Sequence, residues 1–114
     1  MSIWRDKGEF KSRVMEWAAK LDVQVRTLSM RAMKTKWASC STNGNLTFNT
    51  ELLGLDKEVG NYVIVHELLH FRVPNHGRLW KSLMCAHLGD YERLDDALRT
   101  ASREKKIGQA DLLE

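Results

Sequence analysis

Three histidines and one glutamate stand at the spacing that a catalytic zinc site requires. The chain reads His-Glu-Leu-Leu-His from His66 to His70, and His76 follows six residues later. Residues four positions apart share a helix face, so the imidazoles of His66 and His70 can converge on one ion. A zinc ion with three protein ligands keeps a fourth position open, which is typical of catalytic rather than structural sites. The pattern therefore predicts a zinc ion held by His66, His70 and His76.

Glu67 lies beside the first of these histidines. A carboxylate at this position can accept a proton from a water molecule that the metal activates, which is the role of a general base. The sequence therefore predicts a zinc-dependent hydrolase, with a peptidase as the favoured class. The alternative is an ordinary helix that carries two histidines by chance, because short motifs produce false positives. The placement of His76 and the helical context both favour the zinc site.

Other residues compete for roles at this site. On a continuous helix, His87 would lie about 16 Å from His76, at 1.5 Å per residue, so we interpret it as a histidine at a helix end. Asp90 or Glu92 offers a carboxylate as an alternative third ligand, and we rank both below His76. No motif identifies the group that stabilises a developing oxyanion; Tyr91 and Arg78 are the candidates.

A buried helix should carry the motif. Asp56 is the expected N-cap, and the segment from Lys57 to Phe71 contains no proline and is apolar nearly all round, which is typical of a buried helix. Within it, Gly60 either permits the close approach of another backbone or is a tolerated weak point. The helix should end near Phe71 to Val73, and Pro74-Asn75 predicts a turn that brings His76 back to the metal.

The remaining elements form the expected scaffold. Apolar residues at helical spacing predict an N-terminal helix, alternation predicts a strand, and Asn43-Gly44 predicts a two-residue hairpin that pairs Cys40 with Thr47 and Ser39 with Phe48. We expect an α+β fold of the minimal zincin type, with a small, mostly antiparallel sheet in a single domain of residues 1–114. The predicted ranges are a helix from about Lys7 to Lys20, a strand from Asp22 to Met30, helices from about Gly77 to Leu88 and from Tyr91 to Lys105, and a tail from about 107 to 114.

Composition limits the class of protein. The chain has 114 residues, 43% of them apolar, and one proline, which indicates a globular domain. No signal peptide or membrane-spanning run is visible, so we expect a cytoplasmic protein with Cys40 and Cys85 as reduced thiols.

The charge is unevenly distributed along the chain. Residues 1–50 carry a net charge of +5 and residues 51–114 a net charge of −2. The basic half either binds nucleic acid or is an ordinary solvated surface, and we favour the second interpretation. The oligomeric state is not indicated.

From about Lys36 to Leu94 the chain resembles the YgjP-like metallopeptidases. Its Lys-Trp-Ala-Ser-Cys-Ser segment is similar to the family's Arg-Trp-Gly-Ser-Cys-Ser, with Ala38 in place of the glycine. Three further segments carry the resemblance. The four segments are Lys36–Ser41, Asn45–Asn49, Tyr62–His70 and Asn75–Trp80.

The resemblance has implications for the site. It implies a zinc peptidase with His66, His70 and His76 as metal ligands and Glu67 as general base, on a minimal zincin scaffold. It also implies that an extended peptide or protein substrate lies along the edge strand of the sheet. Two other functions stay open: a nucleic-acid-associated peptidase similar to the SprT-like and WLM peptidases, which act on DNA-bound proteins, and a non-catalytic zinc-binding module of a larger assembly.

Overall fold

Four helices and a three-stranded sheet make up this computed structural model, which describes residues 2–73 and 76–107. This arrangement confirms the predicted α+β class. The order along the chain is α1 (Lys7–Leu21), β1 (Thr27–Arg31), β2 (Ala38–Cys40), β3 (Asn45–Asn49), a 3-10 helix (Thr50–Gly54), α2 (Lys57–Leu69), α3 (Arg78–Leu88) and α4 (Tyr91–Lys105).

Helix α2 forms the centre of the core. It begins where the sequence predicts, because the side chain of Asp56 accepts a hydrogen bond from the Glu58 N–H and so caps an unpaired donor of the first turn. From Tyr62 to Leu69 every residue is buried. The helix ends at Leu69, before the predicted end near Phe71 to Val73, and a turn follows it. The predicted Pro74-Asn75 turn lies outside the described residues.

The sheet is mixed rather than mostly antiparallel. Its order is β1-β3-β2, with β3 parallel to β1 and antiparallel to β2. The loop between β1 and β2 therefore has to cross from one side of β3 to the other. The side-chain amide of Asn49, at the end of β3, holds this loop by donating to the carbonyl oxygens of Met33 (2.8 Å) and Lys36 (2.9 Å). The prediction of a mostly antiparallel sheet was wrong because alternation of polar and apolar residues cannot distinguish parallel from antiparallel pairing.

Strand β1 also begins later than predicted. The segment after α1 serves to end that helix: Asp22 adopts the left-handed conformation (φ 56°), and the N–H of Val23 donates to the carbonyl of Ala18. Both are features of a helix C-terminus. The strand can form only after this cap, so it runs from Thr27 to Arg31 instead of from Asp22 to Met30.

The β2–β3 hairpin is present, but its register differs by one residue from the prediction. Ser39 pairs with Thr47, and Cys40 pairs with Leu46. The loop has three residues, 42–44, because Ser41 donates to the carbonyl of Asn45 (3.0 Å) and Gly44 has φ +90°. A three-residue loop that ends in a glycine with positive φ is a common alternative to the two-residue turn. A shift of one residue changes which partner each side chain meets.

Gly60 accommodates an indole ring rather than another backbone. A Cβ atom at Gly60 would lie 2.5 Å from Cζ2 and 2.7 Å from Nε1 of Trp4. Trp4 is 3% exposed and packs edge-on against Phe10 at a ring-centroid distance of 4.8 Å. The glycine therefore creates the space in which the N-terminal segment docks onto α2.

We expect Gly60→Ala to destabilise the protein by about 1–3 kcal/mol, the usual cost of overpacking a core. This cost exceeds the gain of about 1 kcal/mol that alanine brings to a helix interior. Thermal unfolding followed by circular dichroism measures the difference as a fall in Tm of several degrees. Gly54→Ala is the matched control, because a Cβ at Gly54 meets nothing within 4 Å. An increase in the Tm of Gly60→Ala would contradict the packing argument.

The last described segment supports the core. Helix α4 has the predicted bounds, and Ile107 beyond it is buried, so it does not belong to the expected tail; residues 108–114 lie outside the described residues. No disulfide joins Cys40 and Cys85 in the described part of the chain. Among the described residues, no helix combines the length and apolar character needed to cross a bilayer.

Candidate metal centre

The fold brings the three predicted histidines together. His66 lies in the last turns of α2 and is 4% exposed, His70 caps the end of α2, and His76 precedes α3 and is exposed. One ring nitrogen from each lies within 4.8 Å of the other two. Nε2 of His70 and Nε2 of His76 are 3.4 Å apart. The three imidazoles thus face one small volume.

The spacing and the donor type fit a zinc ion. In tetrahedral geometry with Zn–N bonds of about 2.0–2.1 Å, two ligand nitrogens lie about 3.3–3.4 Å apart. The 3.4 Å between His70 and His76 satisfies this requirement. Three imidazole nitrogens form a donor set that suits zinc and other late transition metals, whereas calcium and magnesium prefer oxygen. Three protein ligands also leave a coordination position for water or substrate.

Trp80 of α3 holds the third histidine in place. Its ring lies 4.4 Å from the ring of His76, with the planes tilted by 35°, and 5.2 Å from the ring of His66. Trp80 is 5% exposed, so it is anchored in the core beside the exposed His76. This buried aromatic side chain therefore restricts the ring of His76.

Burial prepares His66 for metal binding. Desolvation lowers the pKa of His66 to about 4, although the negative charge of Asp95 acts in the opposite direction. The pKa of His76 is also lowered, chiefly by partial burial and further by the nearby His66. Both rings are therefore neutral at pH 7. Only a neutral imidazole can bind a metal, so these rings need to lose no proton when an ion binds.

Glu67 lies inside the core beside the cluster. Its side chain is fully buried, and Oε2 lies 3.2 Å from Nδ1 of His66. A carboxylate in the interior is costly to bury and needs compensating interactions. The contact with His66 places Glu67 beside the histidine cluster.

Three residues outside the motif support His66, and the sequence analysis did not identify them. The hydroxyl of Tyr62 donates to Oδ1 of Asp95 (2.7 Å), and Nε of Arg99 donates to Oδ2 (2.8 Å). The Tyr62 ring packs edge-on against His66 at 5.9 Å. Burial and the bond to Asp95 raise the pKa of Tyr62, so it remains a donor. This network fastens α4 to the face of α2 that carries His66.

The competing residues lie elsewhere. Within the described residues, the group of side chains that could hold a metal comprises the three histidines and includes neither Asp90 nor Glu92. The side chain of Asp90 instead caps α4 by accepting from the Arg93 N–H. The ring of His87 packs edge-on against Trp17 at 5.9 Å. These positions favour His76 over a carboxylate as the third ligand.

The two candidates for oxyanion stabilisation are Tyr91 and Arg78. The Trp80 ring is 4.4 Å from His76 and 5.9 Å from Tyr91, so the rings of His76 and Tyr91 are at most about 10 Å apart. Arg78, in the first turn of α3, is exposed. Neither side chain contacts the histidine cluster in the interactions that the structure shows.

Comparison with known proteins found matches among protein families and among solved structures. The model of the YgjP-like metallopeptidase domain matches residues 4–101. A search of curated proteins found no match. Among solved structures, the metallopeptidase zymogen of Methanocaldococcus jannaschii jannalysin is 26% identical, with a TM-score of 0.71 over 83% of this chain and 96% of that one. The metallopeptidase zymogen of Pyrococcus abyssi abylysin is 18% identical and shares the fold, with a TM-score of 0.70 over 89% of this chain and 99% of that one.

Proposed function

The chain belongs to the YgjP-like metallopeptidase family, and we propose that it is a zinc-dependent peptidase whose ion is held by His66, His70 and His76. The observation that carries this proposal is the convergence of the three imidazoles, whose ring nitrogens lie within 4.8 Å of one another. A structural zinc site has four protein ligands, whereas the described residues offer three here. The site is therefore suited to chemistry on a bound substrate.

Glu67 is the proposed general base. When bound, zinc would act as a Lewis acid that polarises the scissile carbonyl and lowers the pKa of water toward about 7. Glu67 then takes the proton of the attacking water and passes it to the leaving amine, because its buried carboxylate is held beside His66. The interior position keeps bulk water away from this carboxylate, which strengthens its electrostatic effect on the reacting groups.

We propose that the substrate is an extended peptide or unfolded protein segment that lies along β2. This strand occupies one edge of the sheet, so one row of its backbone groups is not paired within the sheet. An added strand would gain main-chain hydrogen bonds that do not depend on the peptide sequence. Strand β2 also packs near α2, the helix that contains His66 and is capped by His70.

Hydrolysis that depends on zinc tests this function. The purified protein is incubated with a broad peptide library and an unfolded protein, and products are detected by mass spectrometry. We expect cleavage that a chelator abolishes and that added zinc restores. Cleavage that persists after complete metal removal would contradict a zinc mechanism. A fully loaded protein that cleaves nothing would instead support a non-catalytic zinc module.

A further inference from the structure

An open cavity lies next to the metal centre, between the start of α3 and the start of α4. It is mostly open to solvent and has a volume of about 490 Å³. It begins at Gly77, the residue that follows His76. The lining residues are Gly77, Arg78, Lys81, Ser82, Cys85 and Tyr91.

The lining of this cavity is cationic. Arg78 and Lys81 are both exposed, and no carboxylate is among the lining residues. In the part of the chain that the structure describes, neither side chain forms an ion pair, whereas other surface cations do, such as Arg93 with Glu58 at 2.7 Å. Two unpaired cations in one concave site create a positive potential that attracts an anion.

Hydrogen-bond donors accompany the charge. The hydroxyl groups of Ser82 and Tyr91 line the same cavity. Burial, followed by the charge of Glu92, raises the pKa of Tyr91, so its hydroxyl is protonated at neutral pH and can donate. A carboxylate accepts bonds from a guanidinium, an ammonium and hydroxyls at once, and bonds to charged groups are stronger than neutral ones.

The cavity is within reach of a bound peptide. Tyr91 lies at most about 10 Å from His76, because both rings contact the ring of Trp80, at 5.9 Å and 4.4 Å. An extended chain advances about 3.3 Å per residue. A side chain within about three residues of the scissile bond can therefore enter the cavity.

We propose that this cavity is a specificity pocket in which Arg78 and Lys81 bind a carboxylate of the substrate, within three residues of the bond that is cleaved. The carboxylate is either an aspartate or glutamate side chain or the C-terminus of a peptide, since both present the same chemistry. This inference rests on the proposed peptidase function and adds a substrate class to it.

Binding is measured without turnover, in the zinc-loaded Glu67→Gln protein. The probes are two matched pools of random heptapeptides, identical except that one contains glutamate wherever the other contains glutamine, each with a free or an amidated C-terminus. We expect the glutamate pool or the free-acid pool to bind about threefold to tenfold more tightly at low salt, which is the range of a partly exposed charge interaction. The preference should shrink as salt is raised.

Charge reversal assigns the effect to the cavity. Adding Lys81→Glu should abolish or invert the preference for carboxylate peptides. Arg103→Glu is the matched control, because it makes the same charge change on α4, where Arg103 bonds to Thr100. This control should keep the preference. Equal binding of the pools, or a preference that Lys81→Glu leaves intact, would overturn the proposal. So would Lys81-dependent binding of a DNA oligonucleotide with no peptide preference.

The outcomes separate the inference from the function on which it rests. A protein that prefers carboxylate peptides but hydrolyses none would refute the peptidase function and leave the pocket assignment standing. A protein that hydrolyses peptides with no charge preference would refute the pocket alone.

Discussion

Glu67→Gln is expected to retain zinc and its fold while its hydrolysis falls by about 10²–10⁴-fold, the usual contribution of a general base. Glutamine has nearly the same shape as glutamate, so the substitution should preserve packing at this fully buried position and the contact with Nδ1 of His66. The amide cannot accept the proton of the attacking water. The comparison requires kcat/KM on a peptide that the wild type cleaves, together with zinc content and Tm for both proteins.

Glu58→Gln is the matched control for this variant. It makes the same chemical change on the same helix, at a residue that is exposed and pairs with Arg93 at 2.7 Å. We expect wild-type hydrolysis from it, because surface ion pairs contribute at most about 1 kcal/mol to stability. If Glu67→Gln cleaves the peptide as fast as the wild type, Glu67 is not the base.

The second large effect concerns the third ligand. His76→Ala should weaken zinc binding by more than about 100-fold, because loss of a residue that merely supports a ligand already costs about 10–100-fold. The two remaining histidines and one more open position would bind the ion far less firmly. Competition with a chromophoric chelator measures the affinity. Hydrolysis at limiting zinc should fall in parallel.

His87→Ala provides the control for the loss of a histidine. His87 lies on α3, packs against Trp17 and is not part of the histidine cluster, so its removal should leave the affinity for zinc unchanged. Equal affinity in the wild type and His76→Ala would exclude His76 as a ligand. Asp90 and Glu92 would then become the residues to test.

The helices were predictable because their signals are local. Apolar periodicity and the capping residues are features of short segments, so α4 runs from Tyr91 to Lys105 as expected and α2 begins after its Asp56 cap. The predicted helix ends were less accurate where a turn competes with the helix, as at the C-terminus of α2.

The sheet was predicted less well because strand pairing is not local. The parallel alignment of β1 with β3 depends on a crossover loop that Asn49 fixes from a distant strand. The hairpin register depends on whether Gly44 closes a loop of two residues or three, and both loops suit an Asn-Gly sequence. A choice between them needs the packing of the finished sheet.

The candidate site likewise combines features that the local sequence predicts with contacts that depend on distant segments. Spacing alone identified His66, His70 and His76, and the fold brings their ring nitrogens together, while their role as ligands stays a prediction. The contacts of His66 with Tyr62 and of His76 with Trp80 depend on how α2, α3 and α4 pack. No sequence pattern encodes such packing, so these supporting residues appear only in the structure.

Zinc-dependent peptide hydrolysis is tested most directly by a zinc titration of the metal-free wild type. Hydrolysis of a cleavable peptide is followed at each step of the titration. We expect the rate to rise linearly and to stop rising at about one zinc per chain, since the described residues contain one cluster of three histidines that could hold an ion. A rate that does not depend on added zinc, or a protein that binds one zinc and hydrolyses nothing in a broad peptide screen, would contradict this expectation.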